Sequence, residues 1–392
     1  MKKIAVIGKG TAGAQSIIHF LRHMPDCEVE WHFDPTISPQ AVGEGSVVPL
    51  SKNLFQNLNF NYLELDKIDG TLKTGIYKSG WGKDKEDFLH SFPPPYSAVH
   101  FNAVALQNYI FEKVKHKAKI VEHNTKAEDI DADFVMDCSG KPNSYEEFNI
   151  PSYIPVNSVH VTQCYWEYPR FQHTLTIARP YGWVFGVPLQ NRCSIGYLYN
   201  KNINTLEEVK EDVKNVFEKY KLTPSNDTNT FSFGNYYRKE NYNQRIARNG
   251  NASFFLEPLE ATSVGVMDHI QRGAWDLWNG NQTVEQANFK YLKIIKEIES
   301  VIMLHYLAGS SFNTEFWKFA GDRAQQCLDI TSKNMNFVRI YFKSRSAPSG
   351  NLCPDDEEYG LWSVNAFHQN VYGLGITEKL DSILLKNLNF NN

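Results

Sequence analysis

A single turn near the N-terminus constrains this chain more than any other feature. Residues 3–7, KIAVI, read as a buried parallel strand. Gly8, Lys9, Gly10, Thr11, Ala12 and Gly13 follow at once, and a helix-compatible stretch, Ala12 to His23, runs on to Pro25. The order strand, GxGxxG, helix predicts a dinucleotide site, because each glycine has a separate task. Gly8 permits the tight turn, Gly10 lets a pyrophosphate reach the backbone, and Gly13 allows the helix to pack closely on the strand. The helix start at Thr11 and Ala12 adds unpaired N–H groups facing the anion. A second strand is expected over Glu28 to Phe33, ending at Asp34, whose carboxylate would hold a ribose hydroxyl. Phe33 stands where many such proteins place that acid, so the role falls on Asp34 or its immediate neighbour. By itself the turn would equally suit an NAD enzyme.

Further along, Ala98 to Lys115 has helical periodicity, and Ala132 to Met136 reads as a strand that ends at Asp137 and returns to the first sheet. Between about 150 and 245 the pattern changes to strands rich in Tyr, Trp, Val and Thr, broken by a charged helix over Leu206 to Tyr220. Helices dominate from Val264 onward, including Val284 to His305. The expected class is α/β: a Rossmann-type cofactor lobe intertwined with a substrate lobe that is first antiparallel sheet and then helical. Residues 1–145 and 246–275 form the first lobe, and 146–245 with 276–392 the second.

Composition excludes several alternatives. The formal net charge is −4, with both signs evenly mixed, so no basic stripe marks a nucleic-acid partner. No run approaches the about 18 apolar residues of a membrane span, and a cytoplasmic location is expected. Six scattered cysteines, Cys27, Cys138, Cys164, Cys193, Cys327 and Cys353, form no CxxC pair, which argues for reduced thiols and no metal site. Aromatic residues, 14 % of the chain, would suit a flat ligand but are equally ordinary core filler.

Several segments, taken in order, resemble one family. Residues 41–49, AVGEGSVVP, resemble the VGEATIP loop of flavin-dependent halogenases; 254–262, FFLEPLEAT, resemble FLEPLEST; and 182–188, GWVFGVP, resemble GWxWxIP. HFNA at 100–103, ADFVMDCSG at 132–140, and HYLAGS with the later Phe316 and Trp317 extend the match. Collinearity from residue 4 to about 317 makes the resemblance specific, whereas the last 75 or so residues show no similar match. In compactness and sequence character the chain resembles the phage-borne members more than the longer tryptophan halogenases.

The resemblance implies FAD, used as FADH2, with O2 and a halide ion forming hypohalous acid that halogenates an electron-rich aromatic small molecule. A separate flavin reductase would supply FADH2, since no second dinucleotide fingerprint is present; homo-oligomerisation is left open. Gly43, Glu44, Gly45 and Ser46 would contact the flavin, and Gly250 would bring backbone back to it. Lys73, in the 51–97 segment, falls at the position of the family's lysine, which holds the electrophile. On spacing alone it would pass as a surface lysine beside Lys67, Lys78 and Lys83. Glu260 would orient the electrophile and help remove the ring proton, with Glu257 in the same motif. Without the resemblance, EPLE reads as acids at a helix start. Backbone N–H groups of Thr262 and Ser263 would bind halide, although Ala261 and Ser263 replace the family's Ser and Gly. Trp183, Phe185 and Pro188 would form the wall between flavin and substrate. Alternatives are a flavin monooxygenase, or a flavin-binding protein without catalysis.

Overall fold

The computed structural model describes residues 1–37, 43–82, 86–92, 97–123, 125–346 and 358–388. A five-stranded parallel sheet runs in the order Ile246–Arg248, Phe134–Asp137, Lys2–Ile7, Cys27–Phe33, Lys119–Glu122. The first strand of the chain lies at its centre, and Ile4, Ala5 and Val6 are fully buried on both faces, which is why that run shows no polar alternation. The helix Thr11–His23 leaves directly from the glycine turn. Two of the three glycines are fixed by backbone packing. A Cβ on Gly8 (φ +91°) would sit 2.3 Å from the Cys138 carbonyl oxygen, and one on Gly13 would sit 1.9 Å from that of Gly8.

Sequence periodicity misassigns one segment. Ala98 to Lys115 is a strand, Ala98–Asn102, followed by a helix, Ala103–Val114, and the Asn102 side chain caps the helix by accepting from the N–H groups of Val104 and Ala105. The strand is held by pairing to Gly43–Gly45 on one side and Thr71–Lys73 on the other, a long-range term that local periodicity does not carry.

A seven-stranded sheet forms the second layer, ordered Thr223–Ser232, Ser158–Tyr165, Arg192–Tyr199, Gly182–Pro188, Thr174–Arg179, Gly75–Ser79, Phe88–Ser91. All neighbours are antiparallel except Thr174–Arg179 on Gly75–Ser79. Residues 75–91, which lie within the stretch assigned to the cofactor lobe from sequence, thus contribute two strands to this sheet. Behind it, the helix Val284–Ala308 is buried on every side from Ile298 to Ala308 and packs on Glu315–Thr331. Such all-round burial requires a helix without a polar face. The C-terminal helices Val364–Gly373 and Thr377–Leu388 close the structure. Cys27, Cys138, Cys164, Cys193 and Cys327 are free thiols, and Cys353 lies outside the described residues. No helix among the described residues is long and apolar enough to cross a membrane.

Candidate active site

The strand Ala98–Asn102 places two distant segments side by side. His100 is in register with Gly45 on one neighbour and with Thr71 on the other, so the loop segment Gly43–Ser46 and Lys73 meet across it. The Thr71 hydroxyl donates to the Pro188 carbonyl at 2.8 Å and also lies 3.0 Å from His100 Nδ1. With its only hydrogen so placed, Thr71 accepts from Nδ1–H, and His100 Nε2 accepts from Thr174 Oγ1 at 2.9 Å. Burial, aided by the Lys73 charge, holds the His100 pKa well below its ordinary value, so the ring is neutral.

Lys73 is fully buried, and its ammonium has no hydrogen-bond partner among the described residues. A Cβ on Gly45 would lie 3.3 Å from Lys73 Nζ and 3.2 Å from Thr174 Oγ1, so the loop passes close to the ammonium and a side chain there would crowd it. The Phe92 ring stands 5.6 Å away. Burial lowers the Lys73 pKa to about 7, against which the Glu260 carboxylate works to raise it and the Lys78 charge to lower it further. This has a thermodynamic consequence. Because the unfolded lysine keeps its proton to about pH 10.4, the cost of burying the charge is complete below about pH 7 and fades as pH rises toward the unfolded value. Lys73→Met is therefore expected to stabilise the fold by about 1–2 kcal/mol at pH 6. The gain should shrink toward pH 10, as measured by paired urea melts.

Glu260 lies 2.5 Å from Lys78 Nζ, not against Lys73. Its other oxygen faces His90 Nδ1 and Trp362 Nε1, each at 3.2 Å. Burial alone would raise its pKa, but the Lys78 ammonium, with the His90 ring, holds it well below the usual carboxylate range. Glu260 (φ +69°) and Ala261 (φ +54°) are consecutive left-handed residues without glycine's freedom, a strained entry to the helix Thr262–Trp278. Lys78, grouped with surface lysines on spacing alone, is 1 % exposed; Lys83 lies outside the described residues.

Trp183 and Phe185 share one face of their strand, with ring centroids 6.4 Å apart. Trp183 Nε1 donates to Glu257 Oε2 at 3.0 Å, and Tyr306 donates to the same oxygen at 2.8 Å. Burial pushes Glu257 up to about 8 despite these bonds, so a neutral acid fixes the indole. Pro188 ends the same strand, and its carbonyl ties it to Thr71.

The turn fits a dinucleotide. A Cβ on Gly10 meets nothing within 4 Å, so the turn opens outward at the glycine expected to face the pyrophosphate. The helix behind it has no side-chain cap to compete for its N–H groups. Thr11 donates to Glu44 at 3.1 Å, joining the turn to the Gly43–Ser46 segment, and burial raises Glu44 to about 7. Ser46 exchanges two hydrogen bonds with the Val99 backbone. Gly250 (φ +58°) brings its backbone against Ala12, where a Cβ would come within 2.7 Å of the alanine methyl. Asp34 follows the second strand directly, and one of its carboxylate oxygens accepts from both the N–H and the hydroxyl of Thr36. Thr262 and Ser263 open the helix at the strained entry, again with no side-chain cap. Ala41 and Val42 of the loop motif lie outside the described residues.

A family model described as tryptophan halogenase matches residues 3–127 and 112–387. The chain belongs to the tryptophan halogenase family. That match runs well beyond residue 317, through the C-terminal stretch in which sequence reading found no similarity. Among curated relatives, this halogenase-family chain is 22 % identical over 160 residues to the tryptophan 6-halogenase SttH of Streptomyces toxytricini, covering 39 % of this chain and 29 % of that one. It is 21 % identical over 215 residues to the 7-chloro-L-tryptophan 6-halogenase KtzR of Kutzneria, covering 50 % and 41 %. The alignments thus span less than half of either relative. The fold is similar to that of a tryptophan halogenase from Shewanella frigidimarina, with a TM-score of 0.76 at 15 % identity over 99 % of this chain and 94 % of that one.

The residues that sequence reasoning missed are those around Glu260: His90, His305, Trp362, Asn370 and, as a partner, Lys78. One local signal existed for Lys78. It lies in GIYKS, within the strand Gly75–Ser79, where period-2 alternation places it on the same face as the apolar Ile76.

Proposed function

We propose that this chain is a flavin-dependent halogenase that transfers halogen from hypohalous acid to an electron-rich aromatic small molecule. Gly8, Gly10, Thr11, Ala12 and Gly13 would hold the FAD pyrophosphate and Asp34 the adenosine ribose, with Gly43 to Ser46 and Gly250 against the rest of the cofactor. With FADH2 supplied by a separate reductase, O2 would be the oxidant, one of its oxygens going to hypohalous acid and the other leaving as water. Thr262 and Ser263 would present backbone N–H groups to the halide. Lys73 would bind the acid by donating from its ammonium, and in transfer a ring C–H becomes C–halogen while water leaves. Glu260, held as a weak base by its partners, suits orientation better than proton removal. Trp183, Phe185 and Pro188 would keep the ring away from the flavin.

One observation carries this reading: a buried lysine with no hydrogen-bond partner among the described residues, its pKa about 7, stands against the loop expected at the flavin. The protein with FADH2, O2, bromide and an indole or a phenol should give brominated product. Hydroxylated product would instead favour a monooxygenase, and neither product, with FAD retained, a binding protein without catalysis.

A further inference from the structure

Lys78 sits in the core with three acceptors around it: Glu260 Oε1 at 2.5 Å, His305 Nε2 at 2.7 Å and Asn370 Oδ1. The ammonium donates to His305 and Asn370, and its charge is paired with the Glu260 carboxylate. The two neutral acceptors are themselves fixed. His305 Nδ1 lies 3.0 Å from the Val301 carbonyl, so its hydrogen is on Nδ1 and Nε2 is left bare to accept. Asn370 Nδ2 donates to the Ala366 carbonyl at 2.9 Å, which turns its oxygen toward Lys78. His90 and Trp362 complete the shell of Glu260. Lys73, five residues earlier, has no hydrogen-bond partner among the described residues.

Two buried lysines near one carboxylate could divide it in either sense, since Glu260 would neutralise whichever ammonium it reached. We infer that Lys78 is a positioning residue: by binding Glu260 it fixes the carboxylate and leaves the Lys73 ammonium unpaired toward the reacting space. This rests on the halogenase reading for its consequence in catalysis, though not for the ion pair itself. Lys78, its charge paired with Glu260 and its ammonium held by His305 and Asn370, is unsuited to bind an electrophile. Without it, Glu260 would pair with Lys73 and withdraw that ammonium from transfer, or take up a proton and cease to support the Lys73 charge. The titratable groups facing Glu260 are Lys78 on the strand Gly75–Ser79, His90 on Phe88–Ser91 and His305 on Val284–Ala308, with Lys73 acting at longer range.

The test uses Lys78→Met, Glu260→Gln and the double variant in the full chain. Infrared pH titration follows the protonated carboxyl band of Glu260, assigned by its loss in Glu260→Gln. Lys78→Met should move that titration up by at least about one pH unit. In halogenation assays with FADH2, O2 and bromide, Lys78→Met should lower product about 100-fold with Glu260 present and add less than about threefold to the Glu260→Gln variant, the non-additivity expected of coupled residues. FAD affinity and hypohalous acid release should be unchanged. An unmoved Glu260 titration, or losses that multiply independently, would overturn the inference. If the double variant folds and Lys78→Met does not, that difference in stability supports the coupling, since uncoupled loss of Lys78 would destabilise both backgrounds alike; equal destabilisation in both would overturn it. Should the unaltered protein release no hypohalous acid, the proposed function fails, and the infrared titration alone decides the role of Lys78.

Discussion

Lys73→Ala is expected to lower halogenated product by at least about a thousandfold, while FAD binds and hypohalous acid is released at the normal rate. The separation follows from where the lysine stands. Its ammonium abuts the Gly45 backbone without bonding to it, so the loop loses no hydrogen bond when the side chain is removed. The neighbouring Thr71, His100 and Thr174 chain, which ties the central strand to Pro188 and the large sheet, does not pass through Lys73. Removal leaves a cavity but relieves a buried charge, and the two effects oppose each other in stability. A trapping reagent for hypohalous acid, read beside product by mass spectrometry, distinguishes the outcomes. Normal product would remove Lys73 from the mechanism, and loss of both trap signal and product would place its role before transfer.

Legibility of this site in the sequence followed the distance over which each element is held. The turn at Gly8 to Gly13 was readable because its strand, glycines and helix adjoin, and the close contacts of Gly8 and Gly13 are with backbone of that same sheet and turn. Family motifs extended the reading to Lys73, Trp183 and Glu260. The shell of Glu260 was not readable, because Lys78 meets His305 and Asn370 across 227 and 292 residues. No spacing rule links such positions, and a lysine in a short strand ordinarily reaches solvent. Glu257, noted from sequence only as lying in the motif of Glu260, accepts from Trp183 and Tyr306 and so holds those two rings. Residues 98–102 failed as a helix for the same physical reason, since their partners are supplied by the segments at 43–45 and 71–73.

Gly10→Val should abolish FAD retention, lowering affinity at least about 100-fold through steric exclusion of the pyrophosphate, yet leave the apoprotein as stable as the parent. Gly10 is the one glycine of the turn at which a Cβ would meet nothing within 4 Å, and its φ of −64° is open to any L-residue. Valine's added methyl groups would project into the space that the turn leaves open, where only the ligand competes with them. Gly13→Val makes the opposite case. There the first added carbon would lie 1.9 Å from the Gly8 carbonyl oxygen, so helix and turn must separate before any ligand is considered. The pair therefore distinguishes a turn built to admit a ligand from one built only to pack. Thermal melts of the two apoproteins and FAD titration by fluorescence quenching supply the comparison. A Gly10→Val protein that binds FAD normally would place the pyrophosphate elsewhere, and one that melts as early as Gly13→Val would mean that the space at Gly10 belongs to the fold.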